Sequence, residues 1–402
     1  MNSVQKAFCR VYQKALFVFT LFLDWSEPQL LTGPGSVKKL PKLVKEKGVS
    51  KILVVTDKGL MNLGIPNGLF EELKNEDIDY VVYDGVQPNP TIENIEEARQ
   101  MYVDNGCQGI IAFGGGSPMD CAKITAARIV RPNKPVEKMR GLMKILKPLP
   151  PFFAVPTTAG TGSETTLAAV VSNSKTHEKN ACNDPVLRPK YAVLDPELTT
   201  GLPPHITSTT GMDALTHAVE AYIGKSNVKS TREYAEKATE MIFENLETAY
   251  KDGKNIEARN QMLLASYYAG MAFTRAYVGY VHAIAHNLGG QYGIPHGLAN
   301  AVILPVVLEA YGEAVYDDLA KLADLVGIKG NDNAEKAKAF IAEIYAMNER
   351  MNIPTGFKEI KEKDIDIIVD RAYKEGNPLY PVPVIFDKDE FRRIVKSLMI
   401  EE

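Results

Sequence analysis

Strand-like and helix-like sequence are divided unevenly along this chain, and the division limits the fold to few architectures. From about residue 50 to 200, short apolar runs alternate with helical stretches. KILVVTD (51–57), IDYVVYD (78–84), GCQGIIAFGGGS (106–117), PPFFAVPTT (150–158) and YAVLD (191–195) read as strands. IENIEEARQMYVDNG (92–106) and PMDCAKITAARIV (118–130) read as helices between them. Such alternation predicts an α/β domain built on a largely parallel sheet. After PELTTGLPP (196–204) the strand-like runs almost stop. Amphipathic stretches such as TREYAEKATEMIFENLETAY (231–250) and NAEKAKAFIAEIYAMNERM (333–351) continue instead, so the second half is expected to be all-helical. The predicted domains are 1–204 and 205–402, with residues 1–30 as an atypical N-terminal extension.

A chain of 402 residues accommodates two such cores. Its net charge of −4 is spread along the length, with no basic stripe that would point to nucleic acid. Cys9, Cys107, Cys121 and Cys182 are widely spaced and form no C-x-x-C pair, so a reducing cytoplasm is the expected location. Near the N-terminus, Lys6, Arg10 and Lys14 precede the apolar run Ala15–Leu23, which loosely imitates a signal peptide. Asp24, Trp25, Ser26 and Glu27 follow, with no small-residue cleavage site. The run is also too short to span a bilayer as a helix. It is expected to pack on the protein or on another subunit, not in a membrane.

In the helical half, GMDALTHAVEAY places Asp213 and His217 four residues apart, so one helical face presents both. His282 and His286 repeat that spacing in YVHAIAHNLGGQYGIPHGLAN, and His296, between Pro295 and Gly297, reads as a helix entrance. Three neutral imidazoles and one carboxylate suit a transition metal, iron or zinc, better than calcium or magnesium. The bound ion would keep a net charge of about +1. It could polarise a carbonyl or lower the pKa of a bound alcohol. By spacing alone, ordinary core histidines are an equally open reading.

Two loops in the α/β half suit a dinucleotide. FGGGSPMDCAK (113–123) follows a strand and opens a helix, where glycines admit a pyrophosphate to free N–H groups. It is neither a Walker loop nor G-x-G-x-x-G. TTAGTGSETT (157–166) offers hydroxyls and N–H groups that suit phosphate or the nicotinamide amide, and a helix N-cap at Thr161 or Ser163 is compatible with that role. Asp57 ends a strand, where a carboxylate accepts ribose hydroxyls and repels the extra phosphate of NADP. A solvated turn aspartate before Lys58-Gly59 is the alternative.

Taken in order, GVQPNPT (85–91), FGGGSPMDCAK, PTTAGTGSE (156–164), GLPP with GMDALTHAVEAY (201–222), and VHAIAHNLGG with HG (281–297) resemble the iron-containing, or group III, alcohol dehydrogenases. The resemblance runs from about Leu31 to the C-terminus. It implies a dehydroquinate synthase-like fold: an N-terminal dinucleotide-binding α/β domain and a C-terminal helical metal-binding domain, with the active site in the cleft between them. Carried over residue by residue, it implies Asp213, His217, His282 and His296 as metal ligands. His286 falls near the substrate as a proton-relay residue, not a ligand. Asp57, Asn89, Gly115, Gly116, Ser117, Thr157, Thr158, Thr166 and Lys179 fall on dinucleotide-contacting positions.

The activity implied is hydride transfer between NAD(H) and a small alcohol or aldehyde. Fe2+ is the implied metal, although the same ligands bind Zn2+ more tightly. A homodimer or higher homo-oligomer is implied as well. Glycerol dehydrogenases and dehydroquinate synthase-like lyases are the nearest alternatives. Two departures stand out: the long N-terminal segment, and Arg275 where a smaller polar residue is common. Arg275 either approaches the pocket, favouring an anionic or polar aldehyde, or points to solvent.

Overall fold

The computed structural model describes residues 1–174 and 179–400, with the backbone alone at 179 and 180. The chain forms two compact units: Asp24–Leu202 with Lys254–Tyr267, and Met1–Leu23, Pro203–Gly253 and Tyr268–Glu402. The expected partition at 204 differs from these units in two segments. Met1–Leu23 groups with the helical unit because Arg10 and Gln13 bond to carbonyls of residues 378–383. Lys254–Tyr267 groups with the α/β unit, where Arg259 donates to the Leu202 carbonyl at 3.3 Å.

The strands of the α/β unit are β1 (Gln29–Thr32), β2 (Lys51–Val55), β3 (Asp79–Tyr83), β4 (Gly109–Gly114), β5 (Gly141–Leu142), β6 (Phe152–Pro156), β7 (Ala168–Ser172), β8 (Lys179–Asn183) and β9 (Tyr191–Leu194). Six of them form a parallel sheet in the order β1-β9-β6-β4-β2-β3. Both faces are covered, which is why the strands read as continuous apolar runs. Alternation divides each strand between two cores. Leu53, Val55, Ile110, Ala112 and Ala154 pack with Ile95, Ala98, Met119 and Ala122 of the helices Ile92–Asp104 and Gly116–Val130. Ile52, Val54, Ile111, Phe113, Phe153 and Val155 pack with Leu40, Val44, Leu69 and Leu73 on the other face. A second, smaller sheet, β5-β8-β7, pairs β7 and β8 antiparallel.

From β2 the chain moves to β3 on one side and then returns past β2 to β4 on the other. The strand order therefore reverses between β2 and β4, at the strand ends that carry Asp57 and the 114–117 glycines. Open α/β sheets bind ligands at such a reversal. Gly114 makes the exit from β4 with φ +148°, and a Cβ there would meet the Pro118 ring at 2.6 Å.

The helical unit contains the helices Ser3–Thr20, Pro204–Ile223, Lys229–Lys251, Tyr280–Tyr292, His296–Tyr311, Tyr316–Leu325, Asn333–Arg350, Ile365–Gly376 and Lys388–Ser397. Among the described residues, no strand follows residue 204. His296–Tyr311 is its core helix. It is apolar nearly all round and packs on Pro204–Ile223, Tyr280–Tyr292 and Asn333–Arg350.

Gly114→Ala is expected to lower the unfolding free energy by about 1–3 kcal/mol, from strain at a positive φ and the clash with Pro118. Urea denaturation measures it; an unchanged midpoint would mean that the turn relaxes without cost.

Candidate metal centre and dinucleotide loops

Asp213, His217, His282 and His296 meet inside the helical unit, with one ligand atom from each within 4.8 Å of the others. Asp213, His217 and His282 are buried, and His296 is partly exposed. Asp213 and His217 share a face of Pro204–Ile223 by their four-residue spacing. His282 lies in the first turn of Tyr280–Tyr292, and His296 opens its own helix after the N-cap Pro295. Gly297 lets that opening turn approach Pro204–Ile223. A Cβ there would lie 2.5 Å from the Thr209 carbonyl oxygen.

Each imidazole has a definite setting. The His282 Nδ1 hydrogen points to the Glu220 carboxylate at 2.6 Å, which turns the Nε2 lone pair toward Asp213 and His296. Burial, and then the neighbouring His217, His296 and His286, hold the His282 imidazole well below its ordinary pKa, in the neutral form a ligand needs. His217 stacks between Phe273 at 4.1 Å and His282 at 4.6 Å. His286 stacks on His296 at 5.1 Å, and its Nδ1 meets Glu375 at 2.6 Å. Glu375 also accepts from Tyr380 at 3.0 Å and from Asn287 at 3.1 Å.

Asn300, one helical turn after His296, has its Nδ2 at 2.6 Å from Asp213 Oδ1, 3.2 Å from His282 Nε2 and 3.1 Å from His296 Nε2. Three acceptors share a group with two hydrogens, and the buried Asn300 Oδ1 has no partner. The donor set is short of positive charge and rich in lone pairs. It fits a divalent transition metal on its chemistry.

Glu220, Asn300 and Glu375 are absent from the sequence reading. Glu220 lies one turn beyond His217 on the same helix, and Asn300 lies four residues after His296. Glu220 also accepts the N–H groups of Gly279 and Val281, each at 2.8 Å. Burial pushes its carboxyl up to about 8, against the pull of those backbone donors. Arg275 is half-buried, two residues after Phe273, and burial lowers its guanidinium pKa.

In the α/β unit, the 114–117 turn and the 157–166 loop lie against each other. Cβ atoms on Gly115 and Gly116 would meet Thr158 at 3.3 Å and Thr161 at 3.1 Å. The helix Gly116–Val130 starts there, leaving N–H groups of its first turn without intrahelical partners. Asn89, with φ +56°, donates its N–H to Ser117 Oγ at 3.3 Å. Thr157 N–H bonds to the Gly114 carbonyl at 3.1 Å. Asp57 is the N-cap of the short helix Lys58–Asn62, accepting from Leu60 N–H at 3.0 Å.

No helix begins at Thr161 or Ser163, so the N-cap reading of that loop does not hold. The loop is gathered instead by a buried ammonium. Lys123 Nζ donates to Ser163 Oγ at 3.1 Å, Thr166 Oγ1 at 2.8 Å, and the carbonyls of Thr166 and Ala168 at 2.9 and 3.0 Å. Burial lowers the Lys123 pKa to about 8 and raises that of the neighbouring Glu164 to about 7. Lys179 opens β8, and its side chain lies outside the described residues.

Comparison with known proteins agrees with both halves. Residues 28–196 match the family "Iron-containing alcohol dehydrogenase" and 207–399 match "Fe-containing alcohol dehydrogenase family, C-terminal". Alcohol dehydrogenase 4 of Saccharomyces cerevisiae is 37% identical over 369 residues, covering 91% of this chain and 95% of that protein. The crystal structure of a 1,3-propanediol oxidoreductase superposes with a TM-score of 0.90 at 36% identity, covering 94% of this chain and all of that one. A sulfoacetaldehyde reductase from Bifidobacterium kashiwanohense, solved with NAD+, gives 0.83 at 29% identity, covering 94% and 98%. Fold and site together define a metal-dependent oxidoreductase that uses NAD(H). The chain belongs to the iron-containing alcohol dehydrogenase family, and it is an alcohol dehydrogenase and aldehyde reductase.

Lys123→Met is expected to cost about 2–4 kcal/mol, since several buried acceptors lose their donor together. Thermal unfolding measures it; stability within about 0.5 kcal/mol of the parent would mean that the loop stands without the ammonium.

Proposed function

We propose that Asp213, His217, His282 and His296 hold one divalent ion, Fe2+ in the cell, in the helical unit. The observation that carries this is the convergence of three imidazoles and a single carboxylate within 4.8 Å. Zn2+ competes for the same donors. The α/β unit holds NAD(H) through Asp57, Asn89, Gly115, Gly116, Ser117, Thr157, Thr158, Thr166 and Lys179. The Asp57 carboxylate favours NAD over NADP by repelling the additional phosphate. The substrate is a small alcohol or aldehyde, and the functional unit is a homo-oligomer. Four buried free cysteines fit a reducing compartment, and we place the enzyme in the cytoplasm.

When bound, NADH would supply the hydride that reduces a carbonyl carbon, and the protein's part is to deliver the one proton that completes the alcohol. When bound, the metal supplies Lewis acidity, stabilising negative charge that builds on the substrate oxygen. His282 is held in one tautomer by Glu220, so its Nε2 stays a lone-pair donor throughout. His286 is the proton-relay residue. Glu375 fixes its Nδ1 hydrogen, and Tyr380 and Asn287 fix Glu375. The aromatic face of Phe273 limits movement of His217.

The reading is tested by NADH oxidation with acetaldehyde, butanal, lactaldehyde, glyceraldehyde and an anionic aldehyde, with NADPH in parallel. Metal-dependent NADH consumption supports it. Tight NADH binding without turnover on any aldehyde would favour a lyase of the same fold. A preference for the anionic aldehyde would implicate Arg275.

His282→Ala should lose both metal and activity, whereas His286→Ala should lower kcat roughly a hundredfold or more and keep its metal. Metal analysis separates them; full metal in His282→Ala, or loss of metal in His286→Ala, would overturn the division of roles. Asp57→Gly should raise the NADPH-to-NADH ratio of kcat/KM, and an unchanged ratio would remove Asp57 from the cofactor site.

A further inference from the structure

The helix Ser3–Thr20 presents its two sides in the reverse of the usual surface arrangement. Polar side chains face the protein. Arg10 donates to the carbonyls of Val382 at 2.7 Å and Pro383 at 2.8 Å. Gln13 Nε2 donates to the carbonyls of Tyr380 at 2.7 Å and Pro378 at 3.1 Å. The outer side is apolar and open: Val4 is 78% exposed, Phe8 61%, Val11 67% and, just past the helix end, Phe22 83%. Ala15, Val18 and Phe19 are exposed on the same side. A surface helix normally turns this stripe inward. A continuous exposed patch of this kind marks an interaction site.

We propose that this stripe is covered by the same stripe of a second copy of the chain, forming a two-fold helix pair. Its spacing supports that occupant. Val4, Phe8, Val11, Ala15, Val18 and Phe22 alternate steps of four and three, the 3.5-residue period of a supercoiled seam. One seam position is valine at all three repeats, and the other is Phe8, Ala15 and Phe22. Three phenylalanines and three valines at these exposures offer on the order of 600 Å² per copy. A pair that covered the whole stripe would bury on the order of 1,200 Å², the lower edge of a stable interface.

Charge argues against a lipid surface. A helix lying in a membrane carries Lys and Arg beside its apolar face, where they reach headgroups. Here Arg10 is bonded into the protein and Lys6 is half-buried on the docked side. Lys14 is the one charged residue flanking the stripe. The pair also needs no component the chain lacks, since an isologous contact uses one surface twice.

The test uses the full chain. Light scattering after size exclusion should give two chains for the parent protein. Val11→Glu should weaken self-association roughly a hundredfold or more, because it buries a charge in the seam twice, with circular dichroism unchanged. Val11→Cys, mid-stripe, should cross-link chain to chain under mild oxidation. The parent should not, because its four cysteines are buried. Leu63→Cys, exposed and apolar but in the other unit, should not cross-link either. A single-chain parent, or an assembly that survives Val11→Glu with Val11→Cys uncross-linked, would overturn the proposal. So would a monomer that sediments with phosphatidylglycerol vesicles.

Discussion

Three donors converge on the Glu220 carboxylate inside the helical unit: the Gly279 and Val281 N–H groups and His282 Nδ1. Glu220 sits on Pro204–Ile223, the helix that carries Asp213 and His217. Its partners form the start of Tyr280–Tyr292, the helix that carries His282 and His286. One buried carboxylate therefore fixes the register between the two helices that supply most of the cluster. The Gly297 approach to the Thr209 carbonyl brings in the third helix and His296. Removing the carboxylate would leave three buried donors unpaired at once, which is the costly direction for a polar network.

The chemistry follows from that frame. Three imidazoles and one carboxylate would leave a bound divalent ion with a residual charge of about +1, which a fully anionic set would cancel. The α/β unit meets its own requirement differently. There a buried lysine gathers residues 163–168 through two hydroxyls and two carbonyls. Gly114 and its neighbours keep that surface bare where β4 ends. Both units place exacting polar contacts behind the groups proposed to meet ligands.

What was legible in the sequence was periodic or local. The apolar runs gave all the central strands because both sheet faces are covered. The four-residue spacing of Asp213 and His217 needed only a helix to bring them together. Glu220 and Asn300 carry no signal in the sequence, although each lies one turn from a histidine. Their partners are remote in sequence, and a polar residue on a helix has no visible partner until the fold supplies it. The β5-β8-β7 sheet was hidden because β5 has two residues and β8 is the polar run KNACN. No helix starts at Thr161 or Ser163, because Lys123, some forty residues earlier, claims that loop. The N-terminal apolar run was visible, but its outward orientation is set by carbonyls near residue 380.

The central claim is that one ion in the Asp213, His217, His282 and His296 cluster makes the enzyme active. Metal-stripped protein titrated anaerobically with Fe2+, with butanal-dependent NADH consumption as the readout, tests it most directly. The account predicts activity that rises in proportion to added iron and levels off at one ion per chain. Full turnover in the metal-free protein, or a plateau only at two ions per chain, would contradict it.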